Sequence, residues 1–239
     1  YHAGLIGEEG KIFQETAKEY GISDKYIQVC DEKNGHTIIQ VDKNGQNCIL
    51  LYGGANRAIT REFVDEVLIG FEKGDIILLQ NEINELDYII DKAYEKGMQI
   101  FLNPSPFDGA LDACDLNKIS CFLLNEIEGG QIAGETEPDK IIDGILAKYE
   151  NAKVVLTLGG DGSVYADKEK RCHQPIYKVE TVDTTAAGDT FTGYFIAGLI
   201  QGKTVEETMK MCAVAAGIAV SRPGAAPSIP YMEEVEKLL

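Results

Sequence analysis

KVVLTLGGDG, residues 153–162, runs from a lysine through a short apolar, β-branched stretch straight into a loop of three glycines and an aspartate. The stretch is too short for a buried helix, and its glycine boundary reads as the end of a buried strand. The same form recurs upstream in CFLLNEIEGG (121–130), MQIFLNP (98–104) and DIILLQ (75–80). Between these runs lie ITREFVDEVLIGFEKG (59–74) and LDYIIDKAYEKG (86–97), whose apolar residues follow helical spacing. Alternating apolar runs and amphipathic helices predict parallel strands covered by helices. The expected fold is therefore α/β, a doubly wound, mainly parallel sheet with helices on both faces.

Ligands of such sheets gather beyond the carboxyl ends of the strands. The segments that follow the runs, and the later TTAAGD (184–189), are all polar or glycine-rich: QNEIN (80–84), NPSP (103–106), NEIE (125–128) and GGDG (159–162). HTIIQVDKNGQNCILLYGG (36–54) reads as two strands turning at Asn44-Gly45, a small β lid that includes about residues 26–54. The last third is helical: GDTFTGYFIAGLIQG (188–202), then a helix opened by the capping-box pattern Thr204 to Glu207, then the proline-stiffened SRPGAAPSIP (221–230) and a short amphipathic helix.

Composition narrows the function. The 239 residues suit one α/β domain, and no apolar run is long enough to span a bilayer. Thirty-nine acids against 22 Lys and Arg give a net charge of −17, which argues against a nucleic-acid backbone as partner. A phosphate ligand stays open, because clustered N–H donors and a cation hold one inside an acidic protein. The six cysteines form no C-x-x-C pair and read as reduced thiols of a cytoplasmic protein. Three scattered histidines do not suggest a transition-metal site.

VDTTAAGDTFTGYF (182–195) carries the clearest chemical pattern. Ala186, Ala187 and Gly188 leave backbone N–H groups open at a helix entrance, where the helix dipole adds partial positive charge. Asp189 beside them is either a base for a hydroxyl becoming a nucleophile or a plain helix cap. NEIE alone reads as an acidic helix start, and GGDG alone as a simple turn of a kind also met in NAD and diacylglycerol kinases. Neither a Walker A pattern nor G-x-G-x-x-G follows a strand.

Taken in order, ILLQNE, NPSP, NEIE, TLGGDG, D-T-T-A-A-G-D-T-F-T-G and R-P-G-A-A-P-S-I-P resemble the ribokinase-like, or PfkB-type, carbohydrate kinases over nearly the whole chain. The resemblance implies ATP-dependent phosphorylation of a sugar's primary hydroxyl, with ribose to ribose 5-phosphate expected first. Fructose, another sugar or a nucleoside is the alternative acceptor, and a non-catalytic nucleotide- or sugar-binding fragment is the alternative of another class. It assigns Asp189 as catalytic base and sugar contact, and Ala186, Ala187 and Gly188 as the anion hole. It places ATP at Asn125, Thr157, Leu158, Gly159, Gly160, Asp161, Gly162 and Gly188, and the sugar also at Glu82. Mg²⁺ would be held by Glu128 through water, and K⁺ by Asp183, Thr185, Ala219, Arg222, Gly224 and Ser228, largely through backbone oxygens. A homodimer through the β lid is a further implication.

Three departures stand out. The family's first strand, a sugar-binding Asp and a G-G-x-x-x-N segment have no counterpart here, so the chain is expected to begin partway through the pattern, at AGLIGEEG. Ala213 falls where Asn or His often stands near adenine. Tyr194 takes a position usually held by Ala or Gly.

Overall fold

A computed structural model describes residues 1–41 and 47–239. The Asn44-Gly45 turn lies outside the described residues. The chain divides into two compact units, 1–118 and 119–239.

In the first unit, β1 (Ala3–Ile6) and β2 (Tyr26–Val29) are parallel and joined through α1 (Lys11–Glu19), with Ile6, Ala17 and Ile27 packed together. The expected ribbon is present as β3 (His36–Val41) antiparallel to β4 (Asn47–Tyr52), and its Ile38, Leu50, Leu51 and Tyr52 are exposed. Helix α2 (Arg61–Leu68) starts where the Thr60 hydroxyl accepts the Phe63 N–H, and buries Phe63, Val64, Val67 and Leu68. It stops six residues short of the helical pattern in the sequence. At Gly70 a side chain would collide with the Tyr26 hydroxyl, and at Gly74 a φ of 93° turns the chain. β5 (Ile76–Gln80), α3 (Leu86–Glu95) and β6 (Gln99–Asn103) then form a parallel β-α-β unit in which Ile100, Phe101 and Leu102 are fully buried.

The second unit repeats the pattern with β7 (Cys121–Asn125), α4 (Glu126–Ala133), α5 (Pro138–Lys148) and β8 (Lys153–Thr157), where β7 and β8 are parallel and Cys121, Phe122, Val154, Val155 and Leu156 are fully buried. β9 (Ser163–Ala166) turns back antiparallel to β8, and β10 (Arg171–Gln174) antiparallel to β9. The helical third consists of α6 (Ala187–Ile200), α7 (Val205–Val220) and α8 (Met232–Glu236). The capping box at Thr204 and Glu207 forms as expected. Among the described residues, no helix is long and apolar enough to cross a membrane.

Candidate active site

The ends of β7 and β8 bring two of the predicted loops side by side. Asn125 and Thr157 are register partners, and the Thr157 hydroxyl donates to the Leu124 carbonyl at 3.2 Å. Beyond Thr157 the chain makes one tight 3-10 turn. Leu158 donates to Gly162 (2.8 Å) and Asp161 to Leu158 (3.0 Å), so those N–H groups are used inside the loop. Gly159 and Gly160 differ: among the described residues their N–H groups have no protein acceptor, and a Cβ at either would meet nothing within 4 Å. The loop thus offers two N–H donors on an open side.

The start of α6 has the same character. Ala186 holds a left-handed conformation (φ 60°), which an alanine adopts only when its surroundings impose it. Ala187 donates to Thr184 (3.3 Å) and Thr190 to Ala186 (2.9 Å), while the N–H groups of Gly188 and Asp189 have no acceptor among the described residues. Gly188 and Asp189 are exposed, and space is open at the Gly188 Cβ position. Two unpaired donors at a helix start, next to an accessible carboxylate, can stabilise an anion and take up a proton.

A cleft of about 320 Å³ joins these features. Its lining includes Thr157, Gly159, Gly160 and Gly162 of the loop and Ala187 and Gly188 of the helix start. Leu158, Asp161, Ala186 and Asp189 do not line it. The rest of the lining, apart from Ala213, escaped the sequence reading. It includes Pro175, Ile176 and Tyr177, which follow β10 without regular structure, and Ala213, Ala216 and Gly217 of α7. Gly217 has a packing reason, since a Cβ there would sit 2.9 Å from the Tyr177 carbonyl oxygen. The available signal was the small-residue stripe Ala213, Ala216, Gly217 at helical spacing.

Glu128 is buried, and with Asn125 it closes a capping box at α4: the Asn125 Oδ1 accepts the Glu128 N–H (2.9 Å) and the Glu128 Oε2 accepts the Asn125 N–H (3.0 Å). The cap reading of NEIE is therefore real. It leaves Glu128 one carboxylate oxygen for a hydrated divalent cation, the kind of single contact Mg²⁺ takes.

Of the residues expected around K⁺, Asp183, Thr185 and Gly224 are hydrogen-bonded to one another, and the Arg222 N–H donates to the Ala219 carbonyl at 3.1 Å. Asp183 accepts the Thr185 N–H (2.9 Å) and hydroxyl (2.7 Å) on one oxygen and the Gly224 N–H (2.9 Å) on the other, while the Val182 and Asp183 N–H groups donate to Val220 at the end of α7. The Thr185 hydroxyl, followed by the Thr185 and Gly224 N–H groups, holds the Asp183 carboxyl below the usual carboxylate range. Ser228 is buried and donates to Ala225, and Arg222 pairs with Glu234. With the Asp183 side chain so engaged, backbone carbonyls are the oxygens left for a monovalent cation, and each keeps a second lone pair when it accepts one N–H. Tyr194 fastens this loop to α6, its buried hydroxyl donating to Pro230 at 2.8 Å. In the first unit, Glu82 lies exposed on the loop after β5.

Residues 4–232 match the pfkB family of carbohydrate kinases. The chain belongs to that family. It is accordingly a kinase with the α/β fold expected from its sequence. It is 33% identical to a ribokinase of Arabidopsis thaliana, over all of this chain and 67% of that protein. It is also 29% identical to a deoxyribokinase of Salmonella typhi, over 93% of this chain and 75% of that one. The solved structure of Arabidopsis thaliana ribokinase complexed with ribose and ATP superposes with a TM-score of 0.83 at 29% identity, covering 99% of this chain and 80% of that one.

Proposed function

We propose that this pfkB-family kinase transfers the γ-phosphoryl group of ATP to the primary hydroxyl of ribose, giving ribose 5-phosphate. The carrying observation is that the Gly188 and Asp189 N–H groups at the start of α6 have no acceptor among the described residues, and that Ala187 and Gly188 line the same cleft as the Thr157–Gly162 loop. The relatives named for ribose, one of them solved with ribose and ATP, support the same reading.

The phosphates of ATP meet the Gly159 and Gly160 N–H groups, and the transferring phosphoryl group meets those of Gly188 and Asp189. The sugar oxygen attacks phosphorus as the bond to the bridging oxygen breaks, and that electron pair leaves with ADP. Asp189 accepts the hydroxyl proton, while Glu82 accepts from other sugar hydroxyls. Glu128, with Asn125 beside it, would hold Mg²⁺ through water, and the backbone oxygens of Asp183, Thr185, Ala219, Arg222, Gly224 and Ser228 would hold K⁺. These cations supply countercharge to the phosphates and to the helix start. Deoxyribose is the second acceptor to weigh, because a deoxyribokinase stands only four points of identity below the ribokinase (33% against 29%).

A coupled ADP-release assay with ribose, deoxyribose, fructose and nucleosides tests this. Ribose should turn over fastest, and Asp189→Asn should lower turnover on the order of 10² to 10⁴ with an unchanged melting temperature. Turnover that survives Asp189→Asn removes the base, and a faster acceptor replaces ribose.

A further inference from the structure

The loop carrying Glu82 is gripped by one cation. Arg57 ends the 3-10 turn Gly54–Arg57 just after β4. Its Nη2 donates to the Asn81 carbonyl (3.3 Å) and its Nη1 to the Ile83 carbonyl (3.1 Å), the carbonyls of the residues on either side of Glu82. Two residues further on, the Ile59 N–H donates to Asn84 Oδ1 (3.0 Å), and Asn84 Nδ2 returns a bond to the Ile59 carbonyl (2.7 Å). Four hydrogen bonds therefore join segment 57–59 to loop 81–84.

The loop is also fixed from behind. Asn81 is fully buried, donating through Nδ2 to Pro106 (2.7 Å) and Asp108 Oδ1 (2.9 Å) and through its N–H to Ser105 (3.1 Å). At the foot of the ribbon, Ala55 donates to Lys33 (2.8 Å), and Asn34 both accepts the Gly7 N–H (2.7 Å) and donates to Glu9 Oε1 (3.0 Å). The two ends of the β3–β4 ribbon are thus tied together, and one of them is tied to the Glu82 loop.

We propose that Arg57 is a positioning residue for Glu82. It does not touch the sugar; it fixes the peptide planes around Glu82 and so the direction in which that carboxylate points. A planar guanidinium spans two carbonyls at once, which a lysine ammonium does not do with the same fixed geometry. The inference rests on the reading that Glu82 contacts the sugar.

The test is a double-mutant cycle on the full chain, using the sugar that turns over fastest in the panel above. Arg57→Ala should raise the sugar KM roughly 10- to 100-fold, since small misplacements of a positioning group have effects of that order. Arg57→Lys should fall between it and the unmodified protein, and the ATP KM should stay within about twofold in both. In a Glu82→Ala background, Arg57→Ala should add less than about threefold, because residues acting through one contact are not additive. If Arg57→Ala multiplies KM by its full factor in that background, or raises both KM values in parallel, the positioning role is wrong. An unchanged sugar KM in Arg57→Ala and Arg57→Lys also overturns it. If Glu82→Ala itself leaves the sugar KM unaltered, the sugar-contact reading fails and the role of Arg57 goes with it. Should Arg57→Ala not fold, the Arg57→Lys cycle decides.

Discussion

A Cβ built at Gly188 meets no atom within 4 Å, whereas one at Gly162 would lie 2.2 Å from the Gln174 carbonyl oxygen on a backbone with φ 96°. The two glycines therefore answer to different demands. Gly162 is required by the fold of the loop, whereas nothing in the fold requires a glycine at 188, where the proposed anion would approach the N–H group. Gly188→Ala keeps the N–H but sets a methyl group where the anion would approach; it should melt as the unmodified protein does yet lose turnover by up to about 10²-fold, the scale of an anion-hole donor that its anion no longer reaches. Gly162→Ala should lower the melting temperature in the same thermal scan. Full turnover in Gly188→Ala would mean that no anion comes close there. The sequence reading reached Gly188 through the smallness of its neighbours, but it could not show that Ala186 is left-handed. That conformation is imposed by the tertiary setting, and an alanine carries no local signal for it.

Helix starts were among the most legible elements, because a cap is a contract between residues three apart. Thr204 and Glu207 exchange bonds at α7, with the Thr204 hydroxyl accepting the Glu207 N–H (3.2 Å) and the Glu207 Oε2 accepting the Thr204 N–H (2.8 Å). Thr204→Ala should destabilise the protein by about 1 kcal/mol. For a chain of this size that lowers the melting temperature by roughly 2–4 °C, with the ATP KM unchanged. A drop in ATP affinity without a drop in melting temperature would contradict a purely structural cap. Strands β6 to β8 were legible for a similar reason, as their apolar runs announce burial on both faces; β5 forms from the same kind of run but leaves Leu78 exposed, so the run gave the strand and not its burial. β9 and β10 were not legible: each has four residues, and β9 is a strand only because β8 and β10 flank it. The Pro175–Tyr177 wall of the cleft has no periodicity to read, and the close approach of Tyr177 to α7 depends on the missing side chain at Gly217, far along the sequence.

At the scale of the molecule, the net charge of −17 leaves phosphate binding to local N–H donors, and the cysteines report on the core. Cys121 is fully buried, and burial pushes its thiol up to about 12; Cys114, half-buried, rises to about 11 through burial first and then the Asp87 and Asp91 carboxylates. Burial also raises Cys212. In the unfolded chain these thiols ionise near the ordinary value of about 8.5. Between that value and about 12 the unfolded chain has released protons that the folded chain retains. The stabilisation is complete below the ordinary thiol range and is lost as pH rises through it toward the folded value. The urea midpoint should therefore fall from pH 8 to pH 10, and Cys121→Ala should fall less steeply over the same interval. The same burial should keep Cys121 and Cys212 unmodified by iodoacetamide at pH 8 in the native protein and open them in denaturant, because the thiolate is the reacting form. A midpoint that holds or rises with pH, or rapid native labelling of Cys121, would mean that the strand bearing it is not packed as the fully buried Cys121 side chain requires.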